Sequence, residues 1–189
     1  ADITEFGTPP RAPRLGEIID RIAALTRPAI CAIQGAALGG GLELALGCHY
    51  RQAQPGARLG LPEVTLGIIP GAGGTQRLPR IVGMAKAKEL VYTARRFDAK
   101  TALEIGMVSK VVEPDKLMEA ALELAREIAK NGPIGVAQAK FAINYGMEAS
   151  LGVALPLESK AYEVTIPTKD RLEALAAFVE KRKPVFKGE

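Results

Sequence analysis

The chain has 189 residues, enough for one domain with a real core and too few to expect two independent ones. Apolar residues make up 48% and charged residues 24%, the balance of an ordinary water-facing domain, and no apolar run approaches the ~20 residues a membrane helix needs. The net charge of +4 fits an anionic ligand without specifying one.

In chain order, Ala1 to Phe6 has neither the basic start nor the apolar run of a signal peptide, and it reads like the middle of a protein. Three prolines between Gly7 and Pro13 predict a loop. Leu15, Ile18, Ile19, Ile22 and Leu25 recur at helical spacing, and Arg27-Pro28 stops that helix. The apolar run over residues 29–33 suits a buried strand. A glycine-rich segment follows, then a helix from Leu42 to Leu46 and strand-like pieces over 49–53 and 58–61. A second glycine-rich turn, Gly71 to Gly74, opens another helix, and Val108 to Val112 reads as one more strand. Leu117, Ala121, Leu124, Ala125 and Ile128 mark a helix ended by Asn131-Gly132-Pro133. Phe141 and Ile143 belong to the next, which Gly146 closes, and Leu172, Leu175, Ala176 and Val179 mark the last. The expected class is α/β at the front and helical at the back, divided as 1–130 and 131–189.

Cys31 and Cys48 sit among small or apolar neighbours, as reduced, buried thiols of an intracellular protein do. Nothing has the Cys-x-x-Cys spacing of a metal knuckle, and no metal site is expected. The single histidine, His49, has no sequence partner for a triad and reads as structural.

The chemistry is concentrated in two stretches. Gly35-Ala-Ala-Leu-Gly39-Gly40-Gly41-Leu42-Glu43-Leu44 places three glycines between a strand and a helix, where bare N–H groups can meet an anion or a developing oxyanion. It lacks the Gly-Lys-Ser/Thr of a P-loop and the Gly-x-Gly-x-x-Gly of a dinucleotide fold. Residues 60–77 repeat the pattern: Glu63 is set between Leu61-Pro62 and Val64, and a glycine turn follows. A carboxylate so poorly solvated has its pKa raised and can carry a proton at neutral pH. The bland alternatives are that Glu43 caps a helix and that Glu63 pairs with a base such as Arg58. Two glutamates, each tied to its own glycine turn, favour function.

Ala-Leu-Gly-Gly-Gly-Leu-Glu-Leu-Ala, then Leu-Pro-Glu with Gly-Ile-Ile-Pro-Gly-Ala-Gly-Gly-Thr-Gln-Arg-Leu-Pro-Arg, resembles the signature of the crotonase (enoyl-CoA hydratase/isomerase) family. The likeness continues through residues 87–90, 96–112 and the closing segment from Ala177. It implies a ββα spiral core followed by a helical C-terminal trimerisation region. Ala1-Asp2-Ile3 resembles an internal element of the family, which implies that the spiral's N-terminal turns lie upstream of this chain.

The resemblance implies reversible addition of water to a 2-enoyl-CoA thioester, with coenzyme A as part of the substrate and no separate cofactor. Glu43 would deprotonate the water, Glu63 would protonate Cα, and the Gly71 N–H would help hold the water. The N–H groups of Gly40 and Ala1 would bind the enolate oxygen. Ala1, Asp2, Ile3, Gly39 and Gly40 would line the thioester, with Phe178 and Lys181 meeting the CoA; Thr4 stands where the family carries a lysine. A homotrimer or dimer of trimers in the bacterial cytoplasm or the mitochondrial matrix is implied, without membrane or nucleic-acid partners. Residues 165–173 resemble 3-methylglutaconyl-CoA hydratases, whereas residues 47–51 resemble the hydratase part of multifunctional β-oxidation enzymes. An isomerase and an RNA-binding relative are the remaining alternatives.

Overall fold

A computed structural model describes residues 12–189, so the readings on Ala1, Asp2, Ile3, Thr4 and most of the proline loop lie outside the described residues. The chain divides into two compact units, Ala1–Leu122 and Glu123–Glu189, with the boundary inside a helix.

In the first unit the chain alternates between two small sheets. Strands β1 (Ile30–Ile33), β3 (Tyr50–Ala53) and β6 (Lys110–Val111) form one sheet, all parallel with β3 central. Strands β2 (Ala36–Leu38), β4 (Arg58–Gly60) and β5 (Phe97–Asp98) form the other; β2 runs parallel to β4, and β5 antiparallel. The first two turns each lay one strand in each sheet and then add helix: α2 (Gly40–Gly47) after β2, and α3 (Gly74–Val82) and α4 (Met84–Tyr92) after β4. Gly35, at φ +71°, makes the corner between β1 and β2, and its carbonyl accepts the Arg58 N–H at 2.9 Å.

Helix α1 (Leu15–Ala24) lies on α2 because α2 carries glycine where they touch. A Cβ on Gly40 would meet Leu15, and one on Gly47 would meet Ile19. The core beneath gathers Leu42, Leu59, Leu61, Leu78, Met107 and Val108, all essentially inaccessible. A short helix, α5 (Ala99–Glu104), is capped by Asp98, whose carboxylate accepts the Thr101 N–H at 2.9 Å.

The second unit is helical. α6 (Leu117–Ala129) leads into it, followed by α7 (Pro133–Gly146), α8 (Leu151–Thr165) and α9 (Lys169–Val179). The chain after α9 folds back on it. Glu173 accepts from both Nη atoms of Arg182 and from the Val185 N–H, and Asp170 accepts the Lys187 and Gly188 N–H groups at 2.7 and 2.8 Å. An open cavity of about 360 Å³ in this unit is lined by Gly132, Asp170, Arg171 and Phe186, among others. Among the described residues no helix is long and apolar enough to cross a membrane.

The α/β front and helical back match the expectation, with several differences. The expected strand over 108–112 shrinks to two residues, because Met107 and Val108 are held in a turn by the Ala102 carbonyl. Pro133, expected only to end a helix, also begins α7, where a missing N–H costs nothing. The two thiols are half-buried rather than buried. His49 is structural as expected: its Nδ1 accepts the Ala29 N–H at 2.8 Å.

Candidate active site

The two glycine-rich stretches meet in the first unit, and each glutamate docks on the turn belonging to the other. Glu43 projects from the first turn of α2 and is 3% exposed. Its Oε1 accepts the Ala72 N–H at 2.7 Å and the Gly74 N–H at 2.8 Å, at the start of α3. The first turn of α3 has no acidic residue and Gly73 before it has no side chain, so Glu43 caps α3 from another helix, where the helix field favours negative charge. Two fixed donors on one oxygen leave Oε2 free to accept elsewhere. Gly74 lacks a Cβ for a visible reason: that atom would lie 3.0 Å from Glu43 Oε1 and 2.8 Å from Pro70.

Glu63 makes the reciprocal approach. It opens a short 3₁₀ turn, Glu63–Leu66, closed by Gly67 at φ +72°. Its Oε1 lies 3.1 Å from where a Cβ on Gly39 would sit, on the turn that opens α2. Gly39 is at φ +53° and donates to the Gly60 carbonyl at 3.0 Å, so its backbone is pinned as well. The expectation that each glutamate serves its own turn is therefore corrected. The side chains cross, and the crossing brings both carboxylates into one site.

The two carboxylates differ. Glu63 Oε2 is buried and has no hydrogen-bond partner among the described residues. Burial raises its pKa, the Glu43 charge pushes the same way, and a bond from its own backbone N–H partly offsets them. The alternative pairing with Arg58 does not form: Arg58 stands opposite Asp98 across β4–β5. The capping alternative for Glu43 is realised, alongside whatever chemistry Oε2 performs.

Helix α2 begins two residues earlier than its sequence suggested, so Gly40 and Gly41 occupy its first turn. Their N–H groups, with that of Leu42, have no acceptor within the helix, as in any α-helix. The identity of Gly40 follows from the Leu15 contact, and its free donor follows from the helix start. Gly71 lies exposed at the head of the second turn, and the bonds to Glu43 come from Ala72 and Gly74 instead.

Sequence reasoning missed Arg77. Its Nη1 donates to the Ala72 carbonyl at 3.1 Å, and its Nη2 pairs with Asp20 at 2.7 Å. The Ala72 residue is thus gripped at both ends, with its N–H on Glu43 and its C=O on Arg77. A Cβ on Gly73 would collide with the guanidinium, so the glycine pair four residues before an arginine was the available signal. Phe178 and Lys181 belong to the second unit. Phe178 is 84% exposed at the end of α9, and Lys181 follows it, exposed, at φ +55°.

This fold and these motifs have close counterparts. The sequence model of the enoyl-CoA hydratase/isomerase family matches residues 12–189. YngF of Bacillus subtilis (strain 168), whose name places it among enoyl-CoA hydratase/isomerases, is 62% identical over 165 residues, which are 87% of this chain and 64% of that protein. The mitochondrial methylglutaconyl-CoA hydratase of Homo sapiens is 52% identical over 184 residues, 95% of this chain and 54% of that one. The crystal structure of an enoyl-CoA hydratase from Bacillus anthracis superposes with a TM-score of 0.91 at 53% identity, covering 93% of this chain and 68% of its own. The chain belongs to the enoyl-CoA hydratase/isomerase family and has the crotonase fold. It spans 64% and 54% of those two curated relatives.

Proposed function

We propose that this protein adds water reversibly across the 2,3 double bond of a 2-enoyl-CoA thioester. The observation that carries this reading is the crossed pair of glutamates, one held by two backbone donors and one half-buried, its Oε2 without a partner and its pKa raised. Attack of water at Cβ drives charge onto the thioester oxygen. A fixed N–H aimed at that oxygen is worth ~3 kcal/mol in comparable sites. The Gly40 N–H is one such donor, and by resemblance the Ala1 N–H is the other. Glu43 Oε2 takes the proton of the attacking water as the C–O bond forms, and the Gly71 N–H helps hold that water. Glu63 gives its proton to Cα, a role favoured in a carboxyl whose pKa burial raises. Asp2, Ile3 and Gly39 are proposed to line the thioester.

Lys181 and Phe178 are proposed to meet the phosphates and apolar parts of CoA, for a neighbouring subunit. Coenzyme A is part of the substrate, and no separate cofactor is proposed. The exposed apolar side chains of α7, α8 and α9 support assembly as a homotrimer or dimer of trimers. Relatives named for bacterial and mitochondrial proteins support a place in the bacterial cytoplasm or the mitochondrial matrix. The methylglutaconyl-CoA hydratase names among the relatives favour a branched acyl chain as the second reading.

The test is steady-state hydration of crotonyl-CoA by Glu43→Gln and Glu63→Gln. Each is expected to lose about 10²- to 10⁴-fold in kcat while remaining folded. Near-parental turnover in either folded variant removes the two-carboxylate assignment.

A further inference from the structure

Helix α1 touches both glycine turns of the glutamate site without supplying a reacting group to it. Its one buried side chain, Ile19, fits against Gly47 at the end of α2, and Leu15 fits against Gly40 at the start of that helix. The residue after Ile19 reaches the second glycine turn, where Asp20 Oδ1 accepts from Arg77 Nη2 at 2.7 Å.

Arg77 carries that contact inward. Its backbone N–H behaves as in any helix start and donates to the Gly73 carbonyl at 2.8 Å. Its side chain turns back over the beginning of α3. There Nη1 donates to the Ala72 carbonyl at 3.1 Å, and the guanidinium fills the space that a Cβ on Gly73 would take. The N-terminal end of a helix carries partial positive charge, so a cation laid over it is disfavoured unless an anion faces it. Glu43 answers the N–H groups of the turn from within, and Asp20 answers the guanidinium from outside. With Nη2 committed to Asp20, Nη1 stays on Ala72. With Asp20 removed, the helix field and the competition of water both draw the guanidinium off the turn. The contacts run without a break from Asp20 to Arg77, from Arg77 to the Ala72 carbonyl, and from the Ala72 N–H to Glu43 Oε1 at 2.7 Å.

We propose that Asp20 is a positioning residue for Glu43: through Arg77 it sets the orientation of the backbone at Ala72, and with it the side-chain geometry in which Glu43 presents Oε2. Helix α1 is then a strut between the two halves of the site. Leu15 and Ile19 seat it on the helix that carries Gly40 and Glu43, and Asp20 ties it to the turn that holds Glu43. The consequence for the rate rests on the hydratase reading, whereas the hold on Ala72 does not. Asp20 is exposed and Arg77 half-buried, so the pair adds little to global stability, and its loss is read at the site rather than in unfolding.

Two measurements test the two halves separately. The first needs no substrate: residue-resolved amide exchange at Ala72 in the parent protein and in Asp20→Ala. The Val112 N–H, held by the Ala53 carbonyl at 2.9 Å, serves as the internal reference. Protection of Ala72 is expected to fall about tenfold and that of Val112 to stay unchanged. The second is steady-state hydration of crotonyl-CoA. Asp20→Ala is expected to lower kcat about fivefold with KM moved less than about twofold, and Asp20→Glu to restore most of the rate. The double variant Asp20→Ala/Arg77→Ala should be no slower than Arg77→Ala alone, about tenfold below the parent, rather than the roughly fiftyfold of independent sites. Unchanged protection of Ala72 in Asp20→Ala overturns the proposal whatever the activity. A parental kcat in that variant, or a double variant in which the two losses multiply, overturns it as well. A parent protein inactive on crotonyl-CoA, with Ala72 protection still lost in Asp20→Ala, would remove the hydratase reading and leave the positioning of Glu43 standing.

Discussion

The two units of the chain solve the problem of burial differently. In the first, strands and helices from residue 30 to residue 111 send their apolar side chains into one shared cluster, which includes Leu42, Leu59, Leu61 and Leu78. In the second, α7 buries no residue, α8 buries only Ala161, and α9 only Asp170 and Ala177. Met147, Leu151, Tyr162 and Phe178 stand largely in solvent instead, at 80%, 72%, 64% and 84% exposure. Isolated apolar side chains on a surface are ordinary, but helices exposing this many carry the pattern of an interface. The difference teaches where rigidity comes from. The carboxylate site lies where the chain supplies its own core, which lets two turns be held to within a hydrogen bond. The helical unit leaves these apolar side chains uncovered among the described residues.

The widest gap should appear on truncating one side chain from each unit. Leu59 is fully buried, and Leu59→Ala is expected to cost about 3 kcal/mol through lost burial and the cavity left behind. Phe178→Ala and Leu151→Ala should cost less than about 0.5 kcal/mol wherever those side chains remain in solvent. Denaturant unfolding at several protein concentrations measures both. Costs at Phe178 or Leu151 that rise with concentration toward the Leu59 value would mean that further copies cover the helical unit. That outcome would break the contrast in favour of the trimer.

Within the first unit, rigidity and chemistry can be separated at Arg77. It touches neither glutamate, yet it holds the Ala72 carbonyl whose N–H partner fixes Glu43. Under the hydratase reading, Arg77→Ala is expected to lower kcat about tenfold, since small misplacements of reacting groups are costly. KM and the unfolding midpoint should move little, and Arg77→Lys should restore part of the rate. An unchanged kcat in the folded alanine variant would show that the glycine turn holds its shape unaided.

Much of this arrangement was legible in the sequence, and the failures have a common cause. The glutamates and their glycine turns were visible because motifs of this length are local, and β1 because a short apolar run suits a buried strand; β3 and β4 were legible only as short strand-like pieces. β2 was lost inside a glycine-rich segment: three residues, Ala36-Ala37-Leu38, carry no alternation, and their strand character comes from pairing with Arg58, Leu59 and Gly60. β5 is shorter still and exists through the same long-range pairing. The crossing of the glutamates was illegible for the same reason. Glu43 finds Ala72 and Gly74 some thirty residues away, and no local pattern says which turn a carboxylate will cap. What the sequence did carry, in Gly40, Gly73 and Gly74, was the absence of side chains at each close approach.

The smallest expected effect belongs to the second unit and tests how its C-terminal tail is held. Two carboxylates of α9 grip that tail. Glu173 takes Arg182 and the Val185 N–H, and Asp170 takes the N–H groups of Lys187 and Gly188. The hydrogen bond from Arg182 is the main reason the Glu173 carboxyl is brought down to about 2 from an ordinary 4.5, with the Val185 N–H next. A carboxylate whose folded pKa is depressed adds its stability above the unfolded value and loses it as pH falls through the folded one. The Glu173 contribution is therefore complete above about pH 4.5 and fades toward pH 2. Because this pair is open to water, its share of global stability is small, and the place to look is local. The protection of the Val185 amide, measured against its intrinsic exchange rate at each pH, should fall across that window in the parent protein. In Glu173→Gln Val185 should show little protection at every pH, while Lys187 and Gly188 remain protected by Asp170. If Val185 stays protected in the variant, the tail is held by packing, through contacts such as Phe186 over Gly132. The second unit would then rely on apolar contact even where its surface is most charged, much as the first unit does in its core.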